Sequence, residues 1–153
     1  MNKTDLAWLA GIIDGEGTVS FNKGRSGKNR PTPVIMITNT SESLISKSQR
    51  ILFDFDIDFK ILRRKFLDKK WAKSYWKPCL TIYVRKLKSV ENLLILILPY
   101  LACKDEQAKL VLESLRSVKR TRENYGRMAS LRVPFANRVW DLNKRGLKEV
   151  THI

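Results

Sequence analysis

An acidic side chain between two glycines is the first chemically suggestive feature of this sequence. In residues 9–17, LAGIIDGEG, the carboxylate of Glu16 follows an apolar stretch and lies between Gly15 and Gly17. The apolar stretch predicts a helix. The two glycines supply the freedom to end that helix and turn directly into residues 18–21, which have a strand pattern. We therefore expect Glu16 at the C-terminal end of a helix.

The same helix is predicted to have a face with almost no side chains. Gly11 and Gly15 stand four residues apart, and together with Ala10 they would let a second helix approach unusually closely. Two helices packed in this way would hold two copies of Glu16 side by side. The negative helix ends and the mutual repulsion disfavour that arrangement. A divalent cation relieves both problems, so the pattern indicates a metal site.

Few other side chains suit catalysis. The chain has two cysteines, Cys79 and Cys103, and one histidine, His152, one residue from the end. These are too few soft ligands for a zinc site within one chain, and there is no CxxC pair. A histidine-dependent nuclease and a Ser–His hydrolase are therefore disfavoured. The expected chemistry runs on carboxylates, lysines and a metal.

The net charge indicates the class of partner. Thirty Lys and Arg residues stand against fifteen Asp and Glu residues, which gives a net charge of +15 and a pI near 10.1. This excess predicts nucleic acid as the partner. A membrane is not expected, because the longest apolar run, residues 93–98, is too short to span a bilayer and is followed by Pro99. With no signal sequence at its start, the protein is expected to be intracellular and soluble.

Hydrophobic periodicity predicts one α+β domain over residues 1–153, with a core at about 4–118 and a helical tail at about 119–153. The predicted order is α-β-β-α-β-β-α, with the two hairpins forming one antiparallel sheet. Helices are predicted at about residues 4–14, 41–55, 89–101, 104–118 and 134–146, with Thr4, Ser41 and Ser89 as N-caps. Strands are predicted at about residues 18–28, 34–38, 59–66 and 79–85, with turns at 24–33 and 67–78.

Alternation along these strands separates an apolar face from a polar one. The helix-covered face is expected to carry Val19, Phe21, Ile35, Ile37, Ile61, Leu80 and Ile82. The other face and the two basic hairpin tips fit the major groove and phosphates of DNA. The predicted DNA-binding residues on that face are Ser20, Asn22, Thr38, Arg64, Thr81, Tyr83 and Arg85. Those in the tips are Arg25, Lys28, Arg30, Lys69, Lys70, Lys73, Tyr75 and Lys77.

Two segments resemble the LAGLIDADG homing endonucleases. Residues 9–17 are similar to the motif that names the family, with Ile for Leu at its fourth position, Gly for Ala at its seventh and Glu for Asp at its eighth. Residues 98–112 contain Pro-Tyr-Leu followed by Lys-Asp-Glu-Gln-Ala, which resembles a second family segment whose first lysine lies in the active site. That lysine corresponds to Lys104. The resemblance extends over about residues 6–118.

This resemblance implies a single-motif endonuclease that cuts both strands of a long, pseudo-palindromic DNA site as a homodimer. It implies Glu16 and Lys104 as catalytic residues, with Mg²⁺ held by Glu16 and the carbonyl of Gly15. Ca²⁺ or Mn²⁺ would substitute for it in crystals. Ala10, Gly11 and Gly15 would form the dimer interface, and the cuts would leave short 3′ overhangs.

Two alternatives remain open from the sequence. An RNA maturase that assists intron splicing would share the fold and the basic charge. A non-catalytic DNA-binding regulator is the other, although retention of Glu16 and Lys104 argues against it. Some family members also place a Gln, and a basic residue one turn on, at the start of the second helix. Here that stretch contains Asn39 and Ser41, with Ile45 in place of the basic residue, so the outer part of the site is unassigned.

Overall fold

The computed structural model describes residues 2–23, 31–64, 78–118 and 127–144. The predicted DNA-binding residues of the hairpin tips lie outside this part of the chain: Arg25, Lys28, Arg30, Lys69, Lys70, Lys73, Tyr75 and Lys77. Within the described ranges, every helix is too short or too polar to cross a membrane.

The described elements follow the predicted order α-β-β-α-β-β-α, with further helix at the C-terminal side. The helices are α1 Lys3–Glu16, α2 Glu42–Asp54, α3 Leu87–Ile97, α4 Asp105–Ser117, α5 Met128–Leu131 and α6 Val133–Leu142, with a 3₁₀ turn at Leu98–Tyr100. The strands are β1 Gly17–Asn22, β2 Thr32–Asn39, β3 Lys60–Arg64 and β4 Cys79–Val84. The α+β fold class is confirmed.

The first helix is longer than predicted at both ends. Its N-cap is Asn2, whose side chain accepts the backbone N–H of Thr4 at 3.1 Å, so Thr4 is already helical. At the other end Gly15 and Glu16 keep helical geometry, and Gly17 is the C-cap with an extended backbone. The strand-like sequence therefore begins immediately after the carboxylate.

The third and last helices also differ from their predicted bounds. Helix α3 begins at Leu87, since the hydroxyl of Ser89, the predicted N-cap, instead accepts the backbone N–H of Asp58 at 3.1 Å. Helix α6 begins at Val133, with Pro134 in its first turn, and ends at Leu142, short of the predicted end at residue 146. The hydroxyl of Ser89 thus accepts a hydrogen bond from a segment 31 residues away in sequence, which local sequence patterns do not predict.

The four strands form one antiparallel sheet in the order β1-β2-β4-β3. The register sets Val19 opposite Ile35, and Ile37 opposite Ile82. It therefore places all the residues predicted for the helix-covered face on one side, because side chains alternate along each strand. These side chains and the buried faces of the helices make one apolar core.

Helix α6 lies along the edge strand β1 and against α4. The indole Nε1–H of Trp140 donates to the carbonyl of Phe21 at 2.9 Å, and the amide Nδ2 of Asn143 donates to the carbonyl of Val19 at 3.0 Å. Ala136 and Val139 are fully buried beneath the helix. Two backbone acceptors of β1, those of Val19 and Phe21, are thus satisfied at the sheet edge, which otherwise offers a template for another strand.

Candidate active site

The turn from α1 into β1 is so tight that only glycine fits at its corner. A Cβ at Gly17 would lie 2.7 Å from both the Cα and the carbonyl oxygen of Ile13. The backbone N–H of Gly17 approaches the carbonyls of Ile12 and Ile13. The glycine is required for space rather than for a positive φ, because its φ is −90°. Because of this tight turn, Glu16 is the last residue of α1 and β1 begins at Gly17.

Glu16 is exposed at the last position of α1, and Gly15 precedes it on the open side of the helix. The last four carbonyls of a helix have no partner within it, and Gly15 supplies one of them. A carboxylate and a backbone carbonyl are hard oxygen donors of the type that Mg²⁺ and Ca²⁺ prefer. The described residues contain no cluster of three or more His, Cys, Asp or Glu that could hold a metal. These donors therefore fit an open site that other oxygen ligands must complete.

Asp14, near the end of α1, connects this helix to the segment directly before α4. Its carboxylate accepts the backbone N–H groups of Ala102, Cys103 and Lys104 at 2.7, 3.2 and 2.9 Å. These N–H groups belong to the segment directly before α4, whose N-cap residue is Lys104. Sequence reasoning did not assign this role. The sequence carries no local signal for this contact, because Asp14 and the segment before α4 are about 90 residues apart.

The side chain of Lys104 also contacts Asp14, at the C-terminal end of α1. Its ammonium group donates to the carbonyl oxygen of Asp14, two residues before Glu16. A cation at a helix C-terminus is favoured by the helix dipole, and here it balances the end that carries an exposed carboxylate. The structure therefore places Lys104 at the same end of α1 as Glu16.

A cavity of about 380 Å³ opens beside these residues. It lies between the α1–β1 turn, the start of α4 and the end of α6. Its lining residues are Gly15, Gly17, Thr18, Cys103, Lys104, Gln107, Leu142, Asn143 and Lys144. The contribution of the C-terminal helix was not predicted, since periodicity places α6 in the chain but not against the sheet.

Asp105, the acid next to Lys104 in sequence, is engaged elsewhere. Lys109, one turn along α4, donates to its carboxylate at 2.6 Å. This hydrogen bond is the main reason why the pKa of Asp105 lies below its ordinary value. A carboxylate with a lowered pKa is a weak general base, so Asp105 does not fit a proton-accepting role.

The open face of α1 is made of residues on consecutive turns. Ala7, Gly11 and Gly15 are exposed, and a Cβ added at either glycine would meet nothing within 4 Å. Ala10 was predicted to belong to this face, but it is completely buried in the core of its own chain. The reason is the helical period, which turns Ala10 about 100° away from Gly11.

Comparison with known proteins identifies the family. Residues 3–126 match the LAGLIDADG-like domain. The chain belongs to this family. No curated protein sequence matches the chain. The family match ends before α6, so the helix that closes one side of the cavity lies beyond the matched segment.

Solved structures share the fold at low sequence identity. The homing endonuclease I-CvuI, in complex with its target and Ca, has a TM-score of 0.70 at 22% identity, over 95% of this chain and 85% of that one. The archaeal intron-encoded homing endonuclease I-Vdi141I, complexed with DNA, has a TM-score of 0.64 at 15% identity, over 95% and 88%. The LAGLIDADG homing endonuclease I-GzeII, in complex with a DNA target, has a TM-score of 0.59 at 15% identity, over 90% and 43%.

In this LAGLIDADG-like domain, the polar residues before α2 make hydrogen bonds that cap the helix. The side chain of Asn39 accepts the N–H of Ser41 at 2.8 Å, and the hydroxyl of Ser41 accepts the N–H of Leu44 at 3.4 Å. Ile45 is buried in the core. Asn39 and Ser41 therefore act as capping residues in this structure.

The outer face of the sheet is only partly open. Thr38, Arg64 and Arg85 are exposed and Asn22 is half-buried. By register, Ser20, Thr81 and Tyr83 lie on this face as predicted, yet their exposed fractions are only 9%, 4% and 7%.

Two contacts account for part of this burial. The hydroxyl of Thr81 hydrogen-bonds the hydroxyl of Thr38 at 3.0 Å, and the guanidinium of Arg85 lies 4.4 Å from the centre of the Tyr83 ring. The side chains of Ser20, Thr81 and Tyr83 are therefore largely buried in this structure, and their DNA-binding role stays a prediction. Arg85 covers Tyr83 and is itself the accessible group.

Proposed function

We propose that this protein is a site-specific DNA endonuclease of the homing type, which makes a double-strand break in a long, pseudo-palindromic site. The observation that carries the proposal is the contact of Lys104 with the carbonyl of Asp14, because it sets a lysine at the end of α1 that also carries the exposed Glu16. A carboxylate–lysine pair in a chain of net charge +15 fits hydrolysis of a polyanion.

The active form is a homodimer that joins through α1. The open face at Gly11 and Gly15 supports this, because small residues allow two helices to approach closely. The chain also spans 85% of I-CvuI but only 43% of I-GzeII, which therefore has room for a second domain of this size. A two-fold dimer presents the same surface twice and so reads a site with two-fold character.

Glu16 and the carbonyl of Gly15 would hold a divalent cation, with Mg²⁺ preferred for oxygen ligands. When bound, such a cation supplies Lewis-acid polarisation of a phosphate and lowers the pKa of a water. The exposed position of Glu16 leaves room for DNA phosphates to complete the ligand set.

Lys104 would offset negative charge that develops on the scissile phosphate. Its position depends on Asp14, whose carboxylate fixes the preceding backbone and whose carbonyl accepts its ammonium. Asp105 is committed to Lys109 and therefore does not fit the role of a base beside Lys104.

Recognition would be divided between the sheet and the hairpin tips. The exposed side chains of Thr38, Arg64 and Arg85 on the sheet face could reach base edges, since a two-stranded ribbon fits the major groove. The basic residues of the tips would hold phosphates on either side. Those tip residues are Arg25, Lys28, Arg30, Lys69, Lys70, Lys73 and Lys77.

Selection from a random DNA pool, followed by cleavage, tests the proposal. Duplexes retained by the protein in Ca²⁺ are sequenced, and the enriched site is cloned into a plasmid. Linearisation of that plasmid in Mg²⁺, and not of the parent plasmid, is the expected result. Enrichment of a site that is bound but never cut would instead favour the non-catalytic regulator. Failure to enrich any duplex, with retention of structured RNA, would favour the maturase.

A further inference from the structure

The side chain of Asn143 joins three parts of the molecule directly beneath the active-site cavity. Its Nδ2 donates to the carbonyl of Val19 in β1 at 3.0 Å, and its Oδ1 accepts from Nε2 of Gln107 in α4 at 3.4 Å. Asn143 and Gln107 both line the cavity that Lys104 lines. Asn143 comes directly after α6, outside the residues that match the family.

The amide orientations in this joint are fixed by chemistry. A backbone carbonyl can only accept a hydrogen bond, so the NH₂ group of Asn143 must face Val19. Its oxygen then faces Gln107, which must present its own NH₂ group. The contact with Val19 has ordinary length, whereas the contact with Gln107 is long for a hydrogen bond. The hydrogen bond to Val19 in β1 is therefore the stronger of the two.

The two residues that Asn143 joins lie close in sequence to the two proposed catalytic groups. Gln107 follows Lys104 by three residues, and Val19 follows Glu16 by three. Gln107 is 92% removed from solvent, with an exposed fraction of 8%, so its side chain has little freedom to move independently of α4. A displacement of β1 relative to α4 would change the separation of Glu16 and Lys104.

We infer that Asn143 is a positioning residue, which holds α4 against β1 and thereby sets the spacing of Lys104 and Glu16. The inference rests on the proposed endonuclease function and adds to it a requirement for a residue beyond the shared domain. Asn143 does not contact the reacting groups, so its loss should slow the chemical step more than it weakens DNA binding.

Single-turnover cleavage of the selected site in Mg²⁺, with DNA affinity measured in Ca²⁺, tests this role. Asn143→Ala should slow cleavage by about tenfold to a hundredfold, which is the scale expected when groups are misplaced by an ångström or less. DNA affinity should change by less than about threefold. The matched control is Asn137→Ala, since Asn137 is exposed on α6, the helix that Asn143 follows, and it should match wild type.

The coupling to Gln107 provides a second check on the same preparation. Gln107→Ala should slow cleavage by less than Asn143→Ala, because its contact is the longer one. The double variant should be little slower than Asn143→Ala alone, since both changes break one joint. Fully multiplicative effects would show that the two residues act separately and would overturn the inference.

Thermal unfolding of Asn143→Asp tests the joint without any activity measurement. The new carboxylate would face the carbonyl oxygen of Val19 at hydrogen-bond distance, and this repulsion raises its pKa against the opposite effect of Lys104 and Lys144, which line the same cavity. A raised carboxyl pKa lowers stability at pH values above it, and the loss disappears as the pH falls below the unfolded value. The Tm of Asn143→Asp should therefore approach that of wild type in acid, whereas Asn137→Asp should track wild type at every pH.

The outcomes separate the two hypotheses. If wild type cuts no selected site, the endonuclease proposal fails, while the pH dependence of Asn143→Asp still reports on the joint. If wild type cuts and Asn143→Ala cuts at the same rate with a lowered Tm, Asn143 is structural only and the positioning role is wrong. If Asn143→Asp shows no recovery in acid relative to Asn137→Asp, the contact with Val19 is absent in solution and the inference is wrong.

Discussion

Asp14 shows how one acidic residue can set a site without belonging to its chemistry. Its carboxylate accepts three backbone N–H groups at the start of α4, and its carbonyl accepts the ammonium of Lys104. The neighbouring Glu16 makes none of these contacts and stays exposed. Of the two acids of this motif, Asp14 therefore contacts Lys104 and the segment before α4, whereas Glu16 is exposed.

Glu16→Gln is expected to abolish cleavage while leaving folding and specific DNA binding nearly intact. The amide keeps the shape of the side chain but removes the charge that a divalent cation requires. Cleavage and Ca²⁺-supported binding should be measured on the same DNA site. Cutting above about a hundredth of the wild-type rate would remove Glu16 from the catalytic role, since essential groups cost several powers of ten.

Lys104→Met is expected to slow cleavage by about a hundredfold or more with a modest loss of DNA affinity, as for other groups that stabilise developing charge. Lys109→Met on the same helix is the matched control, because Lys109 pairs with Asp105 and does not line the cavity beside Glu16. Single-turnover rates at saturating protein separate the two effects. A fall in affinity with an unchanged rate would make Lys104 a phosphate anchor.

Asp14→Ala is expected to lower the free energy of unfolding by about 1–3 kcal/mol, because it leaves the N–H groups at the start of α4 without their partner. It should also slow cleavage, since the backbone of Lys104 loses its anchor. Urea unfolding measures the first effect. Asp54→Ala, at an exposed position at the end of α2, serves as the control and should change stability by less than about 0.5 kcal/mol.

At the scale of elements, the glycines of α1 have opposite requirements. Gly17 is needed within the chain, because a Cβ there would overlap the backbone of Ile13. Gly11 has open space around it and is needed only if another molecule packs there. The sequence alone presents both as parts of one glycine-rich motif, and only the packing of α1 against β1 distinguishes them.

Gly11→Val is therefore expected to leave the isolated fold intact but to disrupt the dimer. Valine has a helix propensity no worse than glycine, so the helix itself should not suffer. Sedimentation should show a shift from dimer to monomer for this variant, whereas Ser46→Val, on the exposed side of α2, should leave the dimer unchanged. A stable Gly11→Val dimer would mean that α1 does not form the interface.

The parts of the fold that follow local rules were predictable from the sequence. Alternation of apolar residues gave the correct inner face of the sheet, including Ile37 and Ile82, because register follows that pattern. Long-range contacts were not predictable. The burial of Tyr83, the hydrogen bonds of Asp14 to the segment before α4 and the hydrogen bond of Ser89 to Asp58 all depend on which elements meet. Periodicity indicates a buried face but not its partner.

For the molecule as a whole, the basic residues are expected to serve two roles, phosphate contact and base recognition. The hairpin-tip lysines are expected to contact phosphates, so Lys73→Ala should weaken binding to all sequences about equally and reduce the salt slope by about one unit. Arg85→Ala should instead relax preference at one position in each half-site, at a cost of about 1–3 kcal/mol against the preferred base. Binding to a library of single-base variants at two salt concentrations distinguishes them. A change in base preference from Lys73→Ala, with none from Arg85→Ala, would reverse these roles.

The cover that α6 provides over β1 also has a consequence during synthesis on the ribosome. Strand β1 emerges first among the strands, and the helix whose Trp140 and Asn143 satisfy its carbonyls emerges more than 100 residues later. Until then the edge of the nascent sheet offers unpaired backbone groups to other chains. The docking of α6 on β1 is thus expected to protect this edge of the nascent chain from aggregation. The same docking brings Asn143 to the cavity.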